Sequence, residues 1–255
     1  MSGAGRRWWR ALPALGSAAV TPPPCSPCLR LQVEGVGGRV TDAVVEVRRL
    51  LLAGYTGRDR NAVLAHVHEL EALGVAPPAR IPSVFVVDPS LVELTGAIRA
   101  SGPTTSGEVE VVLIQTHGEL LVGVGSDHTD RAHEVIDVDA SKGMCAKPVA
   151  PIVWRHRDVS RHWDELELRS WIADADGWRL YQEGTLSTFL TVDALLDELG
   201  EAGFDELEGA VVFGGTLPTI GGLSMGDRFR FELSDPVLER SIGSQYDVTV
   251  PPPVR

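Results

Sequence analysis

Apolar residues recur along this chain with two distinct periods, and the changes between them mark out its elements. Short runs such as Leu31 to Val33 and Ala43 to Val47 open the patterned part and predict strands. From Asn61 to Leu73, Val63, Leu64, Val67, Leu70 and Leu73 return at three- and four-residue intervals, the pattern of a helix with one buried face, with Gly74 as its terminator. Beyond it come Val- and Ile-rich runs of strand length: Val84 to Val87, Val109 to Ile114, Leu120 to Val124 and Ile152 to Trp154. The polar loop Gln115-Thr116-His117-Gly118-Glu119 joins the second and third of these as an antiparallel hairpin.

Further on, Leu166 to Ile172 and Arg179 to Gln182 pair across a turn at Asp174 to Gly177. A helix over Val192 to Leu199 is capped by Thr191 and stopped by Gly200. Two last strands, Ala210 to Phe213 and Phe229 to Leu233, flank the glycine-rich Gly214 to Gly222 and a Gly226-Asp227 turn. The tally is α+β and mostly β, a sandwich or β-roll, without the strand-helix alternation of a doubly wound sheet. Residues 1–28, rich in Pro, Gly, Ala and Arg, carry no periodicity; they are expected to be a disordered extension or a start called too early, ahead of one domain over 29–250.

Composition narrows the function. With 255 residues, 44% hydrophobic, the chain can build one sizeable core. The net charge of -12, with no basic patch interleaved with aromatics, repels phosphate backbones and argues against nucleic acid. No apolar run approaches the roughly 20 residues of a spanning helix, so no membrane partner is expected. Cys25 and Cys28 form a lone C-x-x-C without a second ligand pair, and Cys145 makes the count odd; both facts suit reduced thiols and a cytoplasmic location.

The chemistry concentrates on Glu108-Val109-Glu110 and Gly125-Ser126-Asp127-His128-Thr129-Asp130-Arg131. Glu108 and Glu110, two apart on a strand, share a face, and Asp127 lies just past the far end of the hairpin's second strand. Two such glutamates are either exposed on an edge strand or gathered round a cation; Asp127 favours the cation. Three carboxylates suit Mg²⁺ or Mn²⁺, with Ca²⁺ also possible, and ion positions left to water could take a chelating 2-oxo acid. His66 and Glu69, three apart on the predicted helix, form a base-orienter pair, although the neighbouring pair His68 and Glu71 shows how readily chance produces such spacing. Lys142, Lys147 and Arg131 are candidates to stabilise an oxyanion. The Gly214-Gly215-Thr216 segment offers amides and a hydroxyl for a carboxylate, or is a plain glycine turn.

Taken in order, over roughly residues 50–245, these segments resemble the catalytic domain of the fumarylacetoacetate hydrolase superfamily, in particular an uncharacterised bacterial branch. The family's E-x-E strand and N-D-x-S-x-R-D segment are similar to Glu108-Val109-Glu110 and Ser126 to Arg131, with Ser126 and Thr129 as departures. Lys142-Gly143-Met144 leading to Pro148-Val149-Ala150-Pro151, the segment Leu168 to Leu186, Gly215-Thr216 with Gly226-Asp227, and His66-Val67-His68-Glu69 after Gly54-Tyr55 resemble four further family segments. Two more departures alter the mouth of the site: a hairpin stands where the family commonly has a helix, and Asp130 stands where a small residue is usual.

The resemblance implies the mixed β-sandwich and β-roll fold of the fumarylacetoacetase C-terminal domain and a homodimer. It implies Glu108, Glu110 and Asp127 as metal ligands and Lys142, His66 and Glu69 as catalytic groups. Arg131, Thr216, Gly215 and Tyr55 would face the substrate, with Lys147 a possible substitute for Lys142. The activity implied is divalent-metal-dependent hydrolysis of a C–C bond next to a carbonyl in a small oxo-carboxylate. Decarboxylation, hydration and isomerisation of 2-oxo acids are alternatives on the same platform, and a non-catalytic small-molecule binder is a third class.

Overall fold

The computed structural model describes residues 27–72, 77–94, 96–175 and 177–250, without the side chains of residues 66, 69 and 70. Cys25, Gly74 and almost all of the N-terminal segment 1–28 therefore lie outside the described residues. Two sheets carry the architecture. The larger has eight strands in the order Val40–Glu46, Cys28–Glu34, Ile152–Arg155, Glu119–Ser126, Val109–Thr116, Ala210–Thr216, Arg49–Gly54 and Ser83–Val87. The smaller has five, in the order Gly177–Thr185, Glu167–Asp174, Arg228–Asp235, Arg240–Thr249 and Ala97–Arg99. Most neighbours are antiparallel, but Cys28–Glu34 runs parallel to Ile152–Arg155 and Ala210–Thr216 runs parallel to Arg49–Gly54, so the large sheet is mixed.

The central strands of the large sheet are buried on both faces, which is why they read as continuous apolar runs rather than alternating ones. Along Val109–Thr116, Val109, Val111 and Leu113 join one core, with Phe229, Phe231, Leu233 and Tyr246 of the small sheet and Leu195 and Leu199 of the helix Val192–Glu201. Val112 and Ile114 point the other way, into a second core with Leu31, Leu50, Leu52, Val153 and Phe213 on the inner face of the curled sheet. The fold is thus α+β and mostly β, a roll packed on a smaller sheet, in agreement with the sequence pattern.

Three details differ from that pattern. A final strand, Arg240–Thr249, pairs with Arg228–Asp235 along its length, yet only Ile242 and Tyr246 among its residues are fully buried, too few to show alternation. The segment from Arg131 to Lys142, to which the apolar pattern assigns no element, holds two short helices, Arg131–Glu134 and Val138–Lys142, whose N-caps are the side chains of Asp130 and Asp137. The late helix passes Gly200 and ends at Glu201, and Gly203, at φ 92°, takes the left-handed position just beyond it.

Candidate metal centre

The hairpin Val109–Thr116 and Glu119–Ser126 sets the site through its register. Val109 pairs with Ser126 and Glu110 with Gly125, and the amide of Asp127 donates to the carbonyl of Glu108 over 2.9 Å. Directly paired residues of an antiparallel hairpin share a face, so Asp127, Glu108 and Glu110 all point to the side that holds Val112 and Phe213, while Val109 lies in the opposite core. Gly125, opposite Glu110, has no room for a side chain: a Cβ there would lie 2.8 Å from the Pro148 carbonyl and 2.9 Å from Phe213. One oxygen from each of Glu108, Glu110 and Asp127 lies within 4.8 Å of the others. A common ion with oxygen bonds of about 2.0–2.6 Å tolerates that spacing.

Cations surround the cluster. Lys142 Nζ donates to Asp127 Oδ2 at 2.6 Å and to Glu108 Oε2 at 3.0 Å. Lys147, fully buried, donates to the carbonyl of His128 at 2.7 Å and lies 2.8 Å from Asp127 Oδ1. Arg131 Nη2 lies 3.1 Å from Glu108 Oε1, while its Nε donates to Ser106 Oγ at 2.7 Å and its Nη1 to Glu134 Oε2 at 2.8 Å. Burial alone would raise the Asp127 and Glu108 carboxyls; Lys142, with Lys147 at Asp127 and Arg131 at Glu108, outweighs it and holds both below the ordinary carboxylate range. Burial would likewise push the Lys142 ammonium toward neutrality, but Asp127 and Glu108 hold it charged.

Glu110 is the exception. Burial, and then the charge of Asp127, push its carboxyl well above the ordinary range. Its Oε2 accepts from the amide of Gly215 at 2.8 Å. Gly215 sits at φ 101°, and a Cβ on it would collide with Thr56 Oγ1, which donates to the Gly214 carbonyl at 2.7 Å. The cluster therefore fits a hard divalent cation in donor type, in spacing and in having a buried carboxylate without a cationic side chain of its own.

A cavity of about 380 Å³ opens on the cluster, walled by Glu108, Glu110, Asp127 and Lys142, by Tyr55, Gly215 and Thr216, and by Phe85 and Phe189. Tyr55 holds a left-handed backbone, φ 58°, at its rim. The Thr216 hydroxyl lines the cavity but donates to the Val109 carbonyl at 2.9 Å and accepts from Gln182 Nε2 at 2.8 Å, so its proton is engaged within the wall. Arg131, expected to face the substrate, and Lys147, expected there as an oxyanion stabiliser or a substitute for Lys142, do not line the cavity; both are turned onto the carboxylates, Arg131 on Glu108 and Lys147 on Asp127. His66 and Glu69 fall on the helix Arg60–Ala72, which borders the cavity through Ala62 and Val63, but their side chains lie outside the described residues.

Sequence reasoning passed over several residues that line the cavity or support its wall from behind. Glu134 pairs with Arg131, reaches 4.0 Å from Lys142 Nζ and lines the cavity; its three-residue spacing from Arg131 was the available signal. Gln182 is fully buried and ties three elements together, its Oε1 accepting from the amide of Val109 and the hydroxyl of Ser170 and its Nε2 donating to Thr216 and the carbonyl of Leu217. His128 Nδ1 and Ser126 Oγ each share a 2.9 Å hydrogen bond with the Tyr246 hydroxyl, and nothing in the linear sequence links those positions.

Comparison with known proteins adds the following. Residues 53–246 match the family model described as a protein of unknown function, DUF2848. No protein of curated function matches the sequence. Among solved structures, the chain is similar to a yeast fumarylacetoacetate hydrolase family protein at 17% identity and TM-score 0.58, over 81% of this chain and 95% of that one. It is similar to a 2-hydroxyhepta-2,4-diene-1,7-dioate isomerase from Mycobacterium marinum at 16% identity and TM-score 0.55, over 84% and 82%. A 2-keto-3-deoxy-D-arabinonate dehydratase gives 14% identity and TM-score 0.56, over 83% and 77%. At these identities the shared property is the fold.

Proposed function

The chain belongs to the DUF2848 family and has the fumarylacetoacetate hydrolase fold, and from that premise we propose that it is a divalent-metal-dependent enzyme acting on a small oxo-carboxylate. The observation that carries the reading is the convergence of Glu108, Glu110 and Asp127 within 4.8 Å on the floor of a cavity. These three would hold Mg²⁺ or Mn²⁺. When bound, such an ion supplies Lewis-acid stabilisation of negative charge on an oxo oxygen.

The rest falls to the chain's own groups. Lys142, kept charged by its carboxylate neighbours, presents a proton donor on the cavity wall beside Asp127 and Glu108. Lys147 and Arg131 brace Asp127 and Glu108 from behind, fixing the ligand oxygens and offsetting their mutual repulsion. The amide of Gly215 does the same for Glu110. Phe85, Phe189 and Leu52 line the remaining wall and exclude water from the reacting end. His66, oriented by Glu69, is proposed as the base that activates water for cleavage of the C–C bond next to the carbonyl.

The structural relatives include a hydrolase family protein, an isomerase and a dehydratase, so the assay must separate reaction types. Purified protein with Mg²⁺ or Mn²⁺ is given acylpyruvates, and products are identified by mass spectrometry. Pyruvate plus a second acid, lost in Lys142→Met and His66→Ala, is the expected result. Carbon dioxide release or an isomerised product without fragments would move the assignment to decarboxylase or isomerase. Turnover unaffected by EDTA would remove the metal.

A further inference from the structure

The cations that would recognise a second substrate carboxylate are withdrawn from the cavity. Arg131 stands behind the wall, its guanidinium against Glu108, Ser106 and Glu134. Lys147 is fully buried on Asp127 and the carbonyl of His128. Among the described residues that line the cavity, Lys142 is the one basic side chain, and it is held between Asp127 and Glu108. The acids are by contrast exposed to the cavity: beyond the three proposed ligands, Asp59 and Glu134 also line it.

Charge counting gives the same direction. Glu108, Glu110, Asp127 and Glu134 face Lys142, Lys147 and Arg131, so the group carries one more negative charge than positive when all are ionised. A divalent ion leaves one positive charge in excess. One substrate carboxylate balances it and a second has no partner.

The surroundings continue the pattern outward. A second cavity of about 790 Å³ adjoins the first and shares Tyr55, Phe85, Glu134 and Val138 with it. Its further walls combine Pro77, Pro78, Val84, Ile136 and Phe204 with the acids Asp137, Asp139 and Glu201. Its one basic residue among the described lining, Arg80, lies 2.6 Å from Glu198 and 3.2 Å from Glu201.

The geometry points to an enzyme selective for oxo-monocarboxylates, in which the acid head lies at the metal centre and an uncharged tail runs past Glu134 toward the second cavity, while oxo-dicarboxylates are rejected by Glu134. This rests on the proposed oxo-acid reading and adds the substrate's far end. Glu134 thereby becomes a specificity-determining residue.

The test is calorimetric binding to the Mg²⁺-loaded protein at low ionic strength of two acids that differ only in tail charge, 2-oxooctanoate and 2-oxooctanedioate. The monoacid is expected to bind about tenfold more tightly, the effect of a like charge held at roughly 6 Å in a partly screened site. Glu134→Gln, nearly isosteric, should bring the pair to within about threefold, and Asp139→Asn on the second cavity should shift the ratio the same way by less. Equal binding, tighter binding of the diacid, or an undiminished ratio in Glu134→Gln would overturn this inference and leave the metal-enzyme reading standing. Failure of both acids to bind with and without Mg²⁺ would sink that reading and this inference with it.

Discussion

Replacing Gly215 by alanine probes the packing that presents Glu110. At φ 101° an L side chain is strained, and the new methyl group would run into Thr56 Oγ1. The backbone strain costs about 1–3 kcal/mol, and overpacking a rigid site adds about 1–3 kcal/mol. A loss near 4 kcal/mol is therefore expected, a large share of the roughly 5–15 kcal/mol that holds a domain folded. Thr56→Ala removes the collision at the loss of its hydrogen bond to Gly214, a contribution of about 1 kcal/mol. In the double variant the two effects should couple favourably by about 1–3 kcal/mol, because only the backbone strain remains. Urea denaturation followed by circular dichroism and tryptophan fluorescence measures all four species in EDTA. Mn²⁺ affinity should fall in Gly215→Ala, since the amide that orients Glu110 moves with the strained backbone. Stability within about 0.5 kcal/mol of the parent, or strict additivity with Thr56→Ala, would refute the reasoning.

Two further expectations concern the supporting wall. Gln182→Leu strips four hydrogen bonds from a fully buried position and leaves the Val109 amide and the Leu217 carbonyl without that partner; a stability loss of about 2–4 kcal/mol is expected, and a chemical denaturation midpoint equal to the parent's would contradict it. His128 is held neutral, pushed down to about 3 by burial and by the charges of Lys147 and Arg131, whereas the unfolded imidazole takes a proton near pH 6.5. Its contribution is thus fully present above about pH 6.5 and is lost as pH falls toward 3, with a slope of up to about 1.4 kcal/mol per pH unit between them. His128→Gln should flatten that part of the stability profile in EDTA, and an unchanged slope would show that His128 does not titrate this way.

The strands that hold the site were legible because each of their faces is buried or carries the carboxylates. Val109 to Ile114 and its partner read as a hairpin from composition and loop alone, and once the register is fixed Glu108, Glu110 and Asp127 must share a face. The α+β character followed from strand-length apolar runs with few helical periods. Less legible was whatever depends on contacts distant in sequence. Arg131 and Lys147 carry the residue types expected of substrate contacts, yet ion pairs with Glu108, Glu134 and Asp127 draw them behind the wall, and a linear sequence does not show which partner a charge will find. Gln182 reaches Val109 and Leu217, 73 and 35 residues away, and the Tyr246 hydroxyl reaches Ser126 across 120 residues. The last strand escaped notice because Ser244 takes the inward-facing position between Ile242 and Tyr246 and interrupts the apolar alternation. The short helix Arg131–Glu134 is set by the cap at Asp130 rather than by any apolar period.

The central claim is that Glu108, Glu110 and Asp127 together bind one divalent ion. Titration of the protein with Mn²⁺, followed by electron paramagnetic resonance of the free ion, tests it without reference to any substrate. One ion per chain, displaced by Mg²⁺ and lost in folded Glu110→Gln and Asp127→Asn, is the result expected. Binding that survives both substitutions, or no binding at millimolar Mn²⁺ in the folded parent, would contradict it.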